Sequence, residues 1–420
     1  MSATKIKTLG EVALDLLFGP HKFTDLHIES DEPVMIRRAT ADWVPVKTDD
    51  NAAVIFTHRE IMTFLHGMFT GSAGVPPYEE ASEKWPTWLV ELHKRGAIHH
   101  ATQLNRDEAK AAVEEGRSLD GLTCRVRCTV QLQSMRERIG LVMRPLKKVP
   151  DNLNALGLPL QLSRMLINAS NGLIVVTGPT GSGKSTTLAA MVNEINAARA
   201  ANILTLEDPI EFIHDRKKSI INQRELGLDV VSFESGVTDA LRFVPDVILI
   251  GEIRDANTMR AAVRAAESGH LVLTSTHAPT TVGAVRKMLS YLSESDTASQ
   301  DLGGCLVGVL AQSLIRGKTD SGECHLAYEL LNARDVQTAS AIQQGASRLE
   351  SYLKQGQTEG YIGMIQSVRH LVKEGKVEPR RAAAVLFDPQ ERAEMLKLAQ
   401  AQGDGDTRAP VPRPGLRTPV

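Results

Sequence analysis

Between Asn171 and Leu188 the chain reads NGLIVVTGPTGSGKSTTL. Gly178, Pro179, Thr180, Gly181, Ser182, Gly183, Lys184 and Ser185 fit the phosphate-loop pattern G-x-x-x-x-G-K-[ST]. Each residue type has a task there. Glycines let successive backbone N–H groups curl around a phosphate, and the helix continuing from Thr186 presents its positive N-terminal end. Lys184 reaches the β- and γ-phosphates, and the Ser185 hydroxyl ligates Mg²⁺. The expected ligands are therefore ATP and Mg²⁺.

Three further stretches turn a phosphate cradle into a hydrolytic site. The run DVILIGEIRD, Asp246 to Asp255, is an apolar strand ending at Glu252, a Walker B pattern whose carboxylate holds or orients the Mg²⁺ shell. LTLEDPIEF, Leu204 to Phe212, crowds Glu207, Asp208 and Glu211 at a strand tip. In a parallel sheet such tips gather beside the phosphate loop, which puts Glu207 in position to take a proton from attacking water. His270 and His277 flank the strand in GHLVLTSTHA and are placed to sense or contact the γ-phosphate.

These residues require a particular framework. Strands at 173–177, 202–206, 247–250 and 271–275 alternate with helical segments at the spacing of βαβ units, and runs such as VILI and LVLT suit parallel strands buried on both faces. Beyond Asn332 the pattern becomes helical, with breaks at Gly356, Gly375 and Pro379; residues 403–420, rich in proline and glycine, read as a disordered tail. Before the loop, residues 1 to 20 read as a helix. Asp25–Glu29 and Val34–Arg37 form a hairpin around Asp31–Pro33, and Trp43–Val46 adds a strand. A helix over 58–69 follows Thr57 as N-cap, with Glu60 three residues on. Residues 70–100 carry Gly71, Gly74, Pro76, Pro77 and Pro86 and read as an irregular excursion, with Trp85 and Trp88 as local core or as a partner surface. Strands return at Leu122–Val130 and Ile139–Arg144, in a domain of mixed or antiparallel strands. The expected division is 1–144 with an insertion near 70–116, a linker at 145–159, an ATPase core at 160–332, a helical subdomain at 333–402 and a tail at 403–420.

Composition narrows the partners. A net charge of −2 and 4% aromatic residues argue against nucleic acid as a direct substrate. The longest apolar run, Leu302 to Ile315, is shorter than a membrane span and contains Gln312 and Ser313. Glu11 and Asp15 interrupt the apolar part of the N-terminus, which is unlike a secretion signal. A cytoplasmic protein with no membrane span is expected. Cys124, Cys128, Cys305 and Cys324 make neither a disulfide framework nor a well-spaced zinc site, and His21, His27, His99 and His100 read as surface or packing residues.

GPTGSGKSTT, TLEDPIEF, NQRELGLDVVSF, PDVILIGEIRD and SGHLVLTSTHA together resemble the PilT/GspE superfamily of secretion ATPases, over roughly residues 22–67 and 122–395. The absence of any C-x₂-C pair, and hence of the tetracysteine module of type II assembly ATPases, moves the resemblance to the PilT/DotB-like side. It implies an α/β protein with an N-terminal PAS-like domain, a RecA-like P-loop domain with a parallel sheet, and a helical C-terminal part. It implies Glu207 as catalytic base, Glu252 as Walker B acid, and His270 and His277 as His-box residues. Arg125, Arg127 and Arg144 correspond to arginines supplied to the nucleotide. The resemblance further implies a homohexamer at the cytoplasmic face of the inner membrane, working with a membrane platform or secretion-core proteins in pilus retraction, secretion or conjugation. The residues alone leave two rivals: a RecA-like motor stimulated by nucleic acid, and an ATP-binding scaffold without turnover. The first calls for a basic, aromatic-bearing groove; the second calls for a missing base.

Overall fold

The computed structural model describes residues 8–18, 23–38, 43–48, 50–70, 87–105, 123–134, 138–145, 149–318, 323–356 and 360–401. The chain divides into two compact units, Met1–Lys148 and Val149–Val420.

In the first unit, alternating apolar residues build a six-stranded sheet in the order β3-β2-β1-β6-β5-β4. The strands are β1 (Phe23–Glu29), β2 (Met35–Arg38), β3 (Trp43–Pro45), β4 (Ala97–Asn105), β5 (Thr123–Gln133) and β6 (Arg138–Pro145), and every pairing is antiparallel. Leu26, Ile28, Val126, Val130, Leu141 and Met143 supply its buried face. The helix His58–Thr70 covers that face and opens on the expected reciprocal cap. The Thr57 N–H donates to Glu60 Oε2 at 2.8 Å, and the Glu60 N–H donates to Thr57 Oγ1 at 3.3 Å.

Of the excursion expected over 70–100, residues 71–86 lie outside the described residues, and the remainder needs correction. Thr87–Arg95 is a helix, and β4 follows it at the sheet edge, paired with β5 along its whole length. Trp88 is 8% exposed and stacks on Phe69 with ring centroids 5.0 Å apart, so it belongs to the core and not to a partner surface. The polar residues His99, His100, Thr102 and Gln103 hide β4 from a reading based on hydrophobic alternation. Trp85 and residues 106–122 lie outside the described residues.

Two strands of this unit hold an ion pair that matters below. Arg144 on β6 donates through Nε (2.8 Å) and Nη2 (2.5 Å) to Oδ1 of Asp25 on β1, a residue only 5% exposed. Burial pushes the Asp25 carboxyl up, yet the bonds from Arg144 and Thr24 outweigh it and hold the group below its ordinary range.

The second unit carries an eight-stranded sheet in the order β14-β13-β12-β7-β11-β10-β8-β9. Its strands are β7 (Gly172–Thr177), β8 (Asn202–Glu207), β9 (Ile220–Glu225), β10 (Val247–Ile250), β11 (Leu271–Thr276), β12 (Leu306–Arg316), β13 (Cys324–Asn332) and β14 (Tyr361–Ile362). From β12 to β9 all neighbours are parallel, while β13 and β14 add on antiparallel. Every residue of β7, β10 and β11 is buried, as near-continuous apolar runs demand. The apolar run from Leu302 proves to be the end of the helix Ala298–Cys305 and then β12, paired to β7 in the middle of the sheet.

Residues 149–159, read from the sequence as the second part of a linker, are packed. Leu153 and Leu158 are buried in one cluster with Leu162, Leu166, Met191 and Ile195. After Asn332 come helices at Val336–Gln343, Ala346–Lys354, Met364–Lys373, Pro379–Ala383 and Pro389–Ala401. The last three share a small core that includes Val368, Leu386 and Met395. No helix among the described residues is long and apolar enough to cross a membrane. Residues 402–420 lie outside the described residues.

Removing Arg144 leaves the Asp25 carboxylate buried without its cation. Arg144→Ala is expected to lower the stability of the first unit by about 1–3 kcal/mol near neutral pH. Because the folded-state pKa of Asp25 is depressed, the difference is present above the ordinary Asp pKa and is lost as pH falls through the folded value. Denaturant unfolding of the full chain across that pH range checks it.

Candidate active site

Parallel register brings the site together. Thr177 on β7 stands beside Thr276 on β11, Thr274 beside Ile250 on β10, and Ile250 beside Leu206 on β8. β7 and β11 end level, with β8 one residue and β10 two residues shorter. Glu207 is the last residue of β8, and Gly178, His277, Gly251 with Glu252, and Asp208 follow the four strands. Local bonds lock the tips. Thr177 Oγ1 donates to the Ala278 carbonyl at 2.8 Å and accepts from the Ala278 N–H at 2.8 Å, and Ser275 Oγ donates to the Gly251 carbonyl at 2.7 Å.

The phosphate loop has the backbone its glycines allow. Gly178, Gly181 and Gly183 have φ of 147°, 78° and 89°. A Cβ at Gly178 would meet the Gln312 carbonyl oxygen at 2.3 Å, so β12 leaves no room for a side chain there. Gly183 caps the helix Lys184–Ala198 without a side-chain bond, and the first-turn N–H groups of that helix point at the loop without intrahelical partners. Thr180 and Ser185 are exposed, Pro179 and Thr186 half-buried. Ser182 is 2% exposed, yet its hydroxyl has no hydrogen-bond partner. Lys184 Nζ turns back onto the loop, donating to the carbonyls of Gly178 (3.0 Å) and Pro179 (3.2 Å). Burial lowers the Lys184 pKa, with Glu252 acting against that shift. Open N–H groups, an orphaned hydroxyl and a lysine bonded only to loop carbonyls and a histidine make a site fitted to a polyphosphate.

From Lys184 a chain of polar contacts crosses the strand tips. Lys184 Nζ lies 3.4 Å from His277 Nδ1. An ammonium group can only donate, so Nδ1 is the acceptor and the ring proton sits on Nε2. That Nε2 donates to Glu252 Oε2 at 2.9 Å. Arg254 then bridges Glu252 Oε1 through Nη2 and Asp208 Oδ2 through Nη1, the latter at 3.0 Å. Burial pushes the Glu252 carboxyl up, but its bonds from Arg254 and His277 prevail and keep it ionised, as an Mg²⁺ ligand must be. Ser185 and Glu252 are the two side chains that would hold the ion.

Glu207 has the opposite character. Thr205 Oγ1 (2.7 Å) and Gln223 Nε2 (3.2 Å) both donate to its Oε1. Burial nevertheless dominates and pushes its pKa to about 6. Two carboxylates on neighbouring strands thus have pKa values driven apart, the pattern of an ionised ligand beside a proton acceptor.

His270 does not join the site. It precedes β11, at the opposite end of that six-residue strand from His277, and its Nδ1 lies 3.1 Å from the Ala265 carbonyl and 3.2 Å from Ser268 Oγ. A strand of that length puts about 20 Å between the two histidines. The symmetry of the two residues about the strand is what makes them look alike in sequence.

The arginines expected to serve the nucleotide belong to the first unit. Arg144 is engaged by Asp25, which gives it a structural task. Arg127 on β5 stands directly across from Arg144 in register. Arg125 lies on β5, with its side chain outside the described residues. No group of three or more histidine, cysteine or acidic side chains suited to a metal occurs among the described residues.

Sequence reading passed over Gln312, Arg254, Thr205 and Gln223. Gln312 is 1% exposed and clamps the loop: Nε2 donates to the Ser182 carbonyl at 2.7 Å, and Oε1 accepts from Thr187 Oγ1 at 2.9 Å. Its signal was in view, since an amide inside an otherwise apolar run needs a buried partner. Gln312→Leu leaves both partners unsatisfied. We expect a stability loss of about 1–3 kcal/mol and weaker nucleotide binding, checked by unfolding and by titration with a fluorescent ATP analogue; unchanged affinity would reduce Gln312 to a packing residue.

Comparison with known proteins agrees with this geometry. A family model described as "Type II/IV secretion system protein" matches residues 123–380. The chain is 42% identical over 247 residues to a protein of Escherichia coli (strain K12) named "Uncharacterized protein YggR", spanning 58% of this chain and 74% of that one. It is 34% identical over 245 residues to the Pseudomonas aeruginosa type IV pilus retraction ATPase PilT, spanning 58% and 70%. The crystal structure of the pilus retraction motor PilT with bound ADP superposes with a TM-score of 0.73 at 28% identity, covering 92% of this chain and 98% of that one. The chain belongs to the type II/IV secretion system protein family, the PilT/GspE superfamily of secretion ATPases, on its PilT-like branch.

Proposed function

We propose that this protein is a Mg²⁺-dependent ATPase that drives type IV pilus retraction or type II/IV secretion, acting as a homohexamer on the cytoplasmic face of the inner membrane. The observation that carries the reading is the polar chain Lys184–His277–Glu252–Arg254–Asp208, which joins the phosphate loop to the strand that ends in Glu207. The hexamer, the membrane platform or secretion-core partners and the inner-membrane location follow the resemblance to the motor branch. ADP bound in PilT supports the nucleotide.

In this reading the loop and Lys184 bind the phosphates, with Lys184 exchanging its own loop carbonyls for phosphate oxygens. Ser185 and Glu252 would hold Mg²⁺, which when bound would supply neutralisation of the phosphate charge. Glu207 accepts the proton of the attacking water, and a pKa near the working pH suits that task. His277 holds Glu252 in place and reports on Lys184. Arg127 is the arginine we propose for stabilising the transferred phosphoryl group, because Arg144 is already paired.

Lys184→Ala is expected to abolish nucleotide binding, whereas Glu207→Gln keeps binding and lowers the hydrolysis rate by about 10²–10⁴-fold. In the native protein the rate falls as pH drops through about 6, where Glu207 takes up a proton. Titration with a fluorescent ATP analogue checks the two binding outcomes and phosphate-release kinetics on purified protein check the rates; undiminished turnover by Glu207→Gln rejects Glu207 as the base.

A further inference from the structure

The pleat places one set of side chains on the same face of the sheet beside Glu207. Thr205 and Glu207 are two residues apart on β8, and Gln223 and Glu225 stand directly opposite them on β9. Among the described residues β9 is the edge strand of this sheet. Its two inward residues reach the loop that leaves Glu207. Gln223 Oε1 accepts from the His214 N–H at 2.9 Å, its Nε2 donates to the Phe212 carbonyl at 2.8 Å, and Glu225 Oε2 accepts from the Ile210 N–H at 3.1 Å. The same Gln223 Nε2 also donates to Glu207 Oε1, where Thr205 donates as well.

We infer that Thr205 and Gln223 are positioning residues for the Glu207 carboxylate: they fix one of its oxygens and tie its orientation to the 210–214 loop. This rests on the reading of Glu207 as general base. Two donors aimed at one oxygen select a single rotamer. They also favour the charged carboxylate, the form that accepts a proton, against the desolvation that disfavours it. Of the other groups around Glu207, the Glu211 N–H also donates to it and favours the charged form, while the Glu211 carboxylate is a nearby like charge that raises its pKa. Asp208 is turned to Arg254, Glu225 is held by Ile210, and His214 is kept neutral by burial, with a pKa near 4. Gln223 thus links the base to two points of the loop, Phe212 and His214, with one amide group, and a local change in the loop changes the aim of the base.

The test is the pH dependence of ATP hydrolysis by the full chain carrying Gln223→Met or, separately, Thr205→Val, both close in volume to the native residue and unable to donate. With a donor gone, the Glu207 pKa rises, and the acid limb of the kcat profile moves upward by about one unit. At pH 7 kcat then falls only about twofold and at pH 5 about tenfold, while KM for ATP stays within twofold. A purely structural role would lower kcat at every pH without moving the limb, and that outcome in either folded variant overturns the inference. Should Gln223→Met fail to fold, Thr205→Val alone decides. Glu207→Gln run in parallel separates the two claims: turnover retained there defeats the base itself, whereas turnover lost there with an unmoved limb in the donor variants defeats only the positioning role.

Discussion

The parallel register of β7, β11, β10 and β8 is the constraint on which the rest depends. Four parallel strands that pair without slippage and end within two residues of one another deliver their last residues, and those that follow, to the same edge of the sheet. A shift of one residue in any pair would turn Glu252 or Glu207 to the other face. The continuous burial of these strands resists such a shift, because every side chain is already in a filled space. The site is therefore as rigid as the core beneath it. Polar bonds such as Thr177 to Ala278 and Ser275 to Gly251 only finish what the register begins.

On that platform the protein separates two carboxylates by environment. Glu252 lies among cationic and hydrogen-bonding partners and stays charged; Glu207 lies deeper, with neutral donors and an acidic neighbour, and holds its proton to a higher pH. The loop shows a related economy of parts. Gln312 from β12 presses its backbone against Gly178 and its amide against Ser182 and Thr187, so one residue of the central sheet both demands the glycine and shapes the turn that follows.

Much of this was legible in the sequence, for a physical reason. The loop, the Walker B strand and the Glu207 tip announce themselves because glycine, lysine and acidic residues at the ends of apolar runs break a pattern that packing alone would continue. The antiparallel hairpin at 25–37 was visible through its alternation and its turn. What stayed hidden was whatever a polar composition or a distant partner decides. β4 carries too many polar residues on a sheet edge to look like a strand, and β12 continues an apolar run that begins in the helix Ala298–Cys305, which hides where the strand starts. Leu153 and Leu158 are core residues because they share a buried cluster with the next helix, through Leu162 and Leu166, and with Met191 and Ile195. His270 shows the converse error. Its spacing from His277 across a short strand suggested a shared role, while the direction of the strand sets the two at opposite ends. Arg144 was visible as an arginine on a strand, but its partner Asp25 lies more than a hundred residues earlier and appears only when β1 and β6 pair.

The central claim is that these strand tips form one hydrolytic site around a nucleotide held by the loop. A crystal structure of the protein with Mg²⁺ and a non-hydrolysable ATP analogue tests it most directly. The account predicts the γ-phosphate on Lys184 Nζ, with the lysine released from the Gly178 and Pro179 carbonyls. It also predicts the metal between Ser185 and Glu252, and a water in hydrogen-bond reach of both Glu207 and the γ-phosphorus. A bound analogue whose γ-phosphate lies away from Lys184, or a Glu207 carboxylate turned from the phosphates with another residue holding the water, would contradict it.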